Sequence, residues 1–116
     1  MIKKLKTKFN GLVVYEGKIY SDNRGNLREA FNKRDIPKNL CLSIVSKKKK
    51  NVLRGLHLQI KKPQDKIISV LKGKILDVVV DLRKNSKTFG QHFKIILSEK
   101  KAKYLFIPRG FAHGFL

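Results

Sequence analysis

What most limits the folds open to this chain is the near absence of helical periodicity. Along its 116 residues, apolar positions recur at a spacing of two or in short continuous runs, and turn-forming residues close each run. The pattern predicts strands over Leu12 to Tyr20 (one or two), Asn26 to Phe31, Cys41 to Ser46, Asn51 to Gln59, Lys66 to Leu71, Lys74 to Leu82, His92 to Leu97, Ala102 to Ile107 and Phe111 to Leu116. The connection from Arg34 to Asn39 has room for at most one helical turn, and Lys72-Gly73 is a two-residue hairpin signal. Many short strands with regular turns mean an antiparallel sandwich or barrel in one domain, residues 1 to 116. No internal repeat, linker or low-complexity stretch interrupts it.

Within this pattern the run Asn-Val-Leu-Arg-Gly-Leu-His-Leu-Gln (51–59) is out of character. A core strand would fill such positions with Val, Ile or Leu, because an unpaired buried polar group costs about 1 to 3 kcal/mol. The segment therefore reads as the floor of a site. Strict alternation puts His57 and Gln59 on one face and Arg54 on the other. If Arg54 and His57 serve one pocket, Gly55 must mark a bulge that re-aims a side chain. The alternative is a satisfied core histidine beside a surface arginine, and this segment alone does not separate the two.

The strand from Lys74 to Leu82 carries Leu76, Val78, Val80 and Leu82 on one face and Ile75, Asp77, Val79 and Asp81 on the other. Two carboxylates on one face, beside a basic pocket, could orient a histidine or lysine. They could equally belong to a solvent-facing side with surface ion pairs.

With 28 Lys and Arg against 8 Asp and Glu, the formal charge is +20, which suits a polyanion. The charge is mostly scattered lysine, and arginine occurs only at 24, 28, 34, 54, 83 and 109. The one real run, Lys47 to Lys50, falls in an expected loop. Without an aromatic stacking platform a nucleic-acid partner is not expected, whereas a nucleoside diphosphate fits the potential as well as DNA would. No apolar run reaches the length of a membrane span or signal peptide, so a cytoplasmic protein without a membrane partner is expected. The lone Cys41 has no partner for an internal disulfide and no neighbour at metal-ligand spacing, which leaves it a small core hydrophobe.

His57-x-Gln59, followed much later by Pro108-x-Gly110-x-x-His113, resembles the two short motifs of the cupin superfamily of jelly-roll barrels. Metal-binding cupins supply His-x-His and a later Glu from the first motif. Here Gln59 replaces the second histidine, and Lys66, seven residues before Gly73, stands where the glutamate would be. An ammonium has no lone pair and repels a cation, so no metal is expected. The resemblance sharpens over Asp22-x-Arg24-Gly25-x-x-x-Glu29, Val52-Leu53-Arg54-Gly55-Leu56-His57-x-Gln59, Gln64-x-Lys66, Asp77-Val78-x-Val80-Asp81-x-Arg83, Ser86-x-Thr88-Phe89-Gly90 and Ile107-Pro108-x-Gly110-Phe111-Ala112-His113-Gly114-Phe115. In that order these blocks resemble the dTDP-4-dehydrorhamnose 3,5-epimerase family.

The resemblance implies an all-β, antiparallel, cupin-like jelly roll and a cytoplasmic homodimer. It also implies an isomerase acting on a dTDP-linked 4-keto-6-deoxy sugar, inverting C3 and C5 of dTDP-4-dehydro-6-deoxyglucose on the way to dTDP-rhamnose. By resemblance His57 is the base and Lys66 carries negative charge at the substrate. Arg54, Gln59 and His113 match substrate contacts, and Arg24 and Glu29 match positions that hold the nucleotide, often across the dimer. No external cofactor is implied, because no net redox occurs. Three departures bear on this. Leu27 stands where the family has Phe, and Leu42 to Ile44 stands where it has a Gln and an Asn facing the substrate. The family also runs on past Leu116 into a segment supplying a tyrosine acid and an aspartate paired with the base, and Tyr15, Tyr20 and Tyr104 do not match that tyrosine. The jelly roll is accordingly expected to lack its last elements. A one-centre epimerase on a related nucleotide sugar and a non-catalytic sugar-nucleotide-binding cupin domain are the alternatives.

Overall fold

The computed structural model describes residues 2–35, 43–58, 60, 61 and 63–116. Its strands are β1 (Lys3–Lys6), β2 (Val13–Glu16), β3 (Tyr20–Asp22), β4 (Gly25–Leu27), β5 (Arg54–His57), β6 (Lys66–Ser69), β7 (Lys74–Asp81), β8 (His92–Ser98), β9 (Lys103–Ile107) and β10 (Phe111–Phe115). One 3-10 turn, Lys33–Asp35, follows β4. Among the described residues no helix is long and apolar enough to cross a membrane.

All pairings are antiparallel. They make two four-stranded sheets, in the orders β1-β2-β9-β6 and β5-β10-β7-β8, while among the described residues β3 and β4 pair only with each other. The result is the expected antiparallel jelly roll. Alternation on facing strands supplies its core: Val14, Leu105 and Ile107 from the first sheet meet Val79, Leu97 and Phe111 from the second, with Phe9, Leu12 and Val70 closing it from the connections. Phe9 anchors this packing edge-on to both Phe93 and Phe111, with ring centroids 6.2 Å apart in each case.

Several local expectations change. Lys72-Gly73 does not close a hairpin, because β6 and β7 lie in different sheets and the chain crosses between layers there. Crossing lets Ile68 on β6 and Val79 on β7 meet in one core, which a flat hairpin would leave uncovered. The strand expected over Asn26 to Phe31 ends at Leu27. Residues 43–46 form no strand, and Cys41 and Leu42 lie outside the described residues. β1, with Lys-Lys-Leu-Lys, shows almost no apolar signal. It forms as an edge strand in which Leu5 sits opposite the core residue Val14.

The faces of β7 also differ from a solvent-facing reading of its carboxylates. Asp77 and Asp81 are both 0% exposed and share the inward face with Val79, whereas Leu82, on the more apolar face, is exposed. Burial follows the hydrogen-bond partners available inside, described below, and overrides apolar count. On the outer face of the first sheet, Val13, Tyr15, Tyr104 and Phe106 form a second cluster, with the two tyrosine rings stacked at 5.0 Å. Burial raises the pKa of both tyrosines.

Candidate active site

β10 lies between β5 and β7, and its register collects the site. His113 is directly opposite His57 on one side and Val79 on the other, and Phe115 is opposite Arg54 and Asp77. Directly paired residues share a face, and Val79 is core, so His57, His113, Asp77 and Phe115 register to the inner face. Three steps along β5, from Arg54 to His57, match only two along β10, from Phe115 to His113. That extra residue is a bulge, and it brings Arg54 into register with the histidines' face. Gly55 makes it possible: its φ is +98°, and a Cβ there would lie 2.5 Å from the His113 carbonyl oxygen and 2.6 Å from Gly114 Cα.

The buried centre of this arrangement is a His–Asp pair. His113 Nε2 and Asp77 Oδ1 are 2.5 Å apart, and the Phe115 ring stacks on the imidazole at 5.9 Å. Asp77 Oδ2 is buried without a partner. Burial pushes the Asp77 carboxyl above the usual carboxylate range, while the hydrogen bond and charge of His113, and then the charge of Lys66, draw it part of the way back. Lys66 is opposite the core residue Ile107 and so registers inward from the facing sheet. His57, by contrast, is exposed in the single chain. An accessible imidazole beside a buried, carboxylate-held one, with an ammonium across from them, can exchange protons with a ligand and receive negative charge.

Of the other expected residues, Arg24 and Glu29 lie apart, while the Arg54 guanidinium is held by the loop before its own strand. Arg24 sits at the tip of the β3–β4 hairpin, exposed, with its guanidinium 2.7 Å from Asp22. Glu29 is exposed just beyond that hairpin. The Arg54 guanidinium binds Ser46 Oγ at 3.0 Å and the Lys47 carbonyl at 3.4 Å. Gln59 lies outside the described residues. Among the described residues no group of three or more His, Cys, Asp or Glu could hold a metal. None of the three tyrosines registers with His57: Tyr15 and Tyr104 lie on the outer face of the first sheet, and Tyr20 is on the projecting hairpin.

Residue pattern offered Asp77 as one of two same-face aspartates that could orient a histidine, but it did not say which histidine, since the partner is 36 positions away. It missed a second contributor. Arg28, unremarkable in sequence, ties the base of the hairpin to the body by donating to Ser69 Oγ at 3.2 Å and to the Val70 carbonyl at 2.6 Å.

A family model described as dTDP-4-dehydrorhamnose 3,5-epimerase matches residues 6–116. The chain belongs to the dTDP-4-dehydrorhamnose 3,5-epimerase family. It is similar to the enzyme of that name from Methanothermobacter thermautotrophicus, with 44% identity over 97% of this chain and 63% of the relative. The Salmonella typhimurium member is 39% identical over 97% of this chain and 65% of its own length. The chain therefore spans a little under two thirds of these family members. Among solved structures it resembles the dTDP-6-deoxy-D-glucose-3,5-epimerase of Legionella pneumophila in complex with dTDP-4-keto-L-rhamnose. The TM-score is 0.92 and the identity 40%, covering 99% of this chain and 64% of that one.

Proposed function

We propose that this protein is a dTDP-4-dehydrorhamnose 3,5-epimerase that inverts C3 and C5 of dTDP-4-dehydro-6-deoxyglucose. The observation that carries the reading is the register of His57 against the Asp77-held His113, with Lys66 facing them, in a chain of this family. The C4 ketone acidifies the C3 and C5 protons, so the neutral imidazole of His57 removes one at a time and the Lys66 ammonium stabilises the enolate oxygen as charge develops. His113, held by Asp77, contacts the sugar, and Arg54 and Gln59 are further substrate contacts. No external cofactor takes part, because no electrons are exchanged with another molecule. Arg24 at the tip of the hairpin and Glu29 just beyond it reach a nucleotide in a second protomer, which makes the working form a homodimer. Exposed Val52, Leu53 and Leu56 along the β5 edge support such a contact. The cytoplasm is the compartment that goes with this substrate.

Solvent-exchange NMR in deuterated water tests the reading. Deuterium is expected at both C3 and C5, and His57→Ala should reduce exchange by about 10²- to 10⁴-fold. Label at one carbon only would make this a one-centre epimerase, and label at neither would leave a sugar-nucleotide-binding domain. Because no described tyrosine registers with His57, this 116-residue chain should incorporate label with retained configuration faster than it releases inverted sugar. Inverted product forming as fast as exchange would mean that a residue of this chain supplies the opposing acid.

A further inference from the structure

On the side of the sandwich where β1 ends the first sheet and β8 ends the second, the layers are open. Neither strand has a partner on its outer edge among the described residues. A cavity of about 510 Å³ lies between them, floored by Phe9, Val14, Phe93 and Ile95. Its rim carries Lys6, Lys8, Lys94 and Lys103, with His92 beside them, and no carboxylate among the described residues lines it. Glu16 is tied to Lys103 at 3.6 Å, while Asp22, Asp65, Asp77 and Asp81 are paired with Arg24, Arg109, His113 and Arg83. The remaining rim cations have no internal counter-charge among the described ion pairs.

We propose that this slot receives an extended acidic segment of a partner protein, added as a strand along β8. Phe93, Ile95 and Leu97 point inward, opposite Val79, Asp77 and Ile75, and His92, Lys94 and Ile96 point outward. A strand added to that edge continues the pleat, so every second side chain drops onto the apolar floor and the others stand on the outer face beside Lys94. The complementary segment therefore alternates apolar and acidic residues over about seven positions, the length of β8. Lysines on an edge also discourage indiscriminate strand pairing, and the same charge selects a partner that carries carboxylates. A second copy would set one lysine-bearing edge against another. A nucleic acid would need an exposed ring to stack on, and Phe9 is buried. The slot is separate from His57 and His113, so this inference stands whether or not the epimerase reading does.

Fluorescence anisotropy with a labelled peptide of alternating Leu and Glu tests it. Saturable binding is expected, with affinity at least about tenfold lower when the same residues are arranged as two blocks or when alternate peptide nitrogens are methylated. Lys94→Glu should weaken binding about tenfold, while Lys50→Glu, in the exposed loop before β5, leaves it unchanged. Circular dichroism establishes that both variants fold. Lack of saturable binding, equal affinity for the block or methylated peptide, equal loss in the two variants, or equally tight binding of a single-stranded oligonucleotide of the same charge would each overturn the proposal.

Discussion

Asp77 and Asp81 lie four residues apart on β7, face the same way and are equally shielded from solvent, but their surroundings are opposite. Asp81 is saturated. Arg83 grips it through Nε at 3.0 Å and Nη2 at 3.1 Å, Ser86 Oγ donates at 2.6 Å, and Thr88 Oγ1 donates as well. The Arg83 guanidinium then lies 4.5 Å over the Phe111 ring. Burial alone would raise the Asp81 carboxyl, but Arg83, Ser86 and Thr88 together hold it well below the usual range. Asp77 has one partner, His113, and an orphaned oxygen, and burial pushes it up. One carboxylate is held as an ion by its partners, and burial works against the charge of the other. A fully satisfied buried charge is a fastening, whereas a half-satisfied one is a place where protons can move.

The sharpest way to break this contrast is to remove each carboxylate. Asp81→Ala should cost about 3 to 5 kcal/mol in urea denaturation, because Arg83 and two hydroxyls lose their common acceptor. A variant with the parent's denaturation midpoint would show that Asp81 fastens nothing. Asp77→Asn keeps the shape and removes the charge, so its stability should stay within about 1 kcal/mol of the parent while proton exchange on the sugar falls about 10- to 100-fold. If that fall came with an equally large loss of stability and an unchanged pH profile, Asp77 would be structural like Asp81.

Acid pH should sharpen the difference in sign. The folded-state pKa of Asp81 is depressed, so its contribution is present above the unfolded value of about 3.9 and is lost as pH falls toward the folded value. Asp77 is raised, so its contribution is complete at low pH and lost as pH rises through its folded value. Urea midpoints followed through the acid range should flatten on the acid side in Asp81→Asn. In Asp77→Asn they should lose the decline toward neutral pH. The smallest effect belongs to the exposed Asp22–Arg24 pair. Arg24→Ala should leave the urea midpoint unchanged and weaken dTDP binding in calorimetry, since a solvated pair adds little to folding.

Much of this arrangement was readable before any coordinates. Period-two alternation and the spacing of turns gave an all-β antiparallel fold, because both are local properties of the backbone. The odd polar residues of 51–59 read as the floor of a site, and one pocket served by both Arg54 and His57 called for a bulge at Gly55, which the register of β5 against β10 contains. Lys72-Gly73 misled because a turn signal states that the chain reverses and says nothing about which sheet it enters.

The sequence by itself determined the strand-and-turn rhythm, the bulge glycine and which residue types could do chemistry. Only the tertiary structure decided which face of β7 is inside. Alternation is symmetric about the strand, and by apolar count the face with Leu76, Val78, Val80 and Leu82 had the better claim. It lost because the partners that make the other face tolerable come from elsewhere: His113 from β10 for Asp77, and Arg83, Ser86 and Thr88 from the following loop for Asp81. Burial of a charge depends on who meets it, and that is a property of the folded chain.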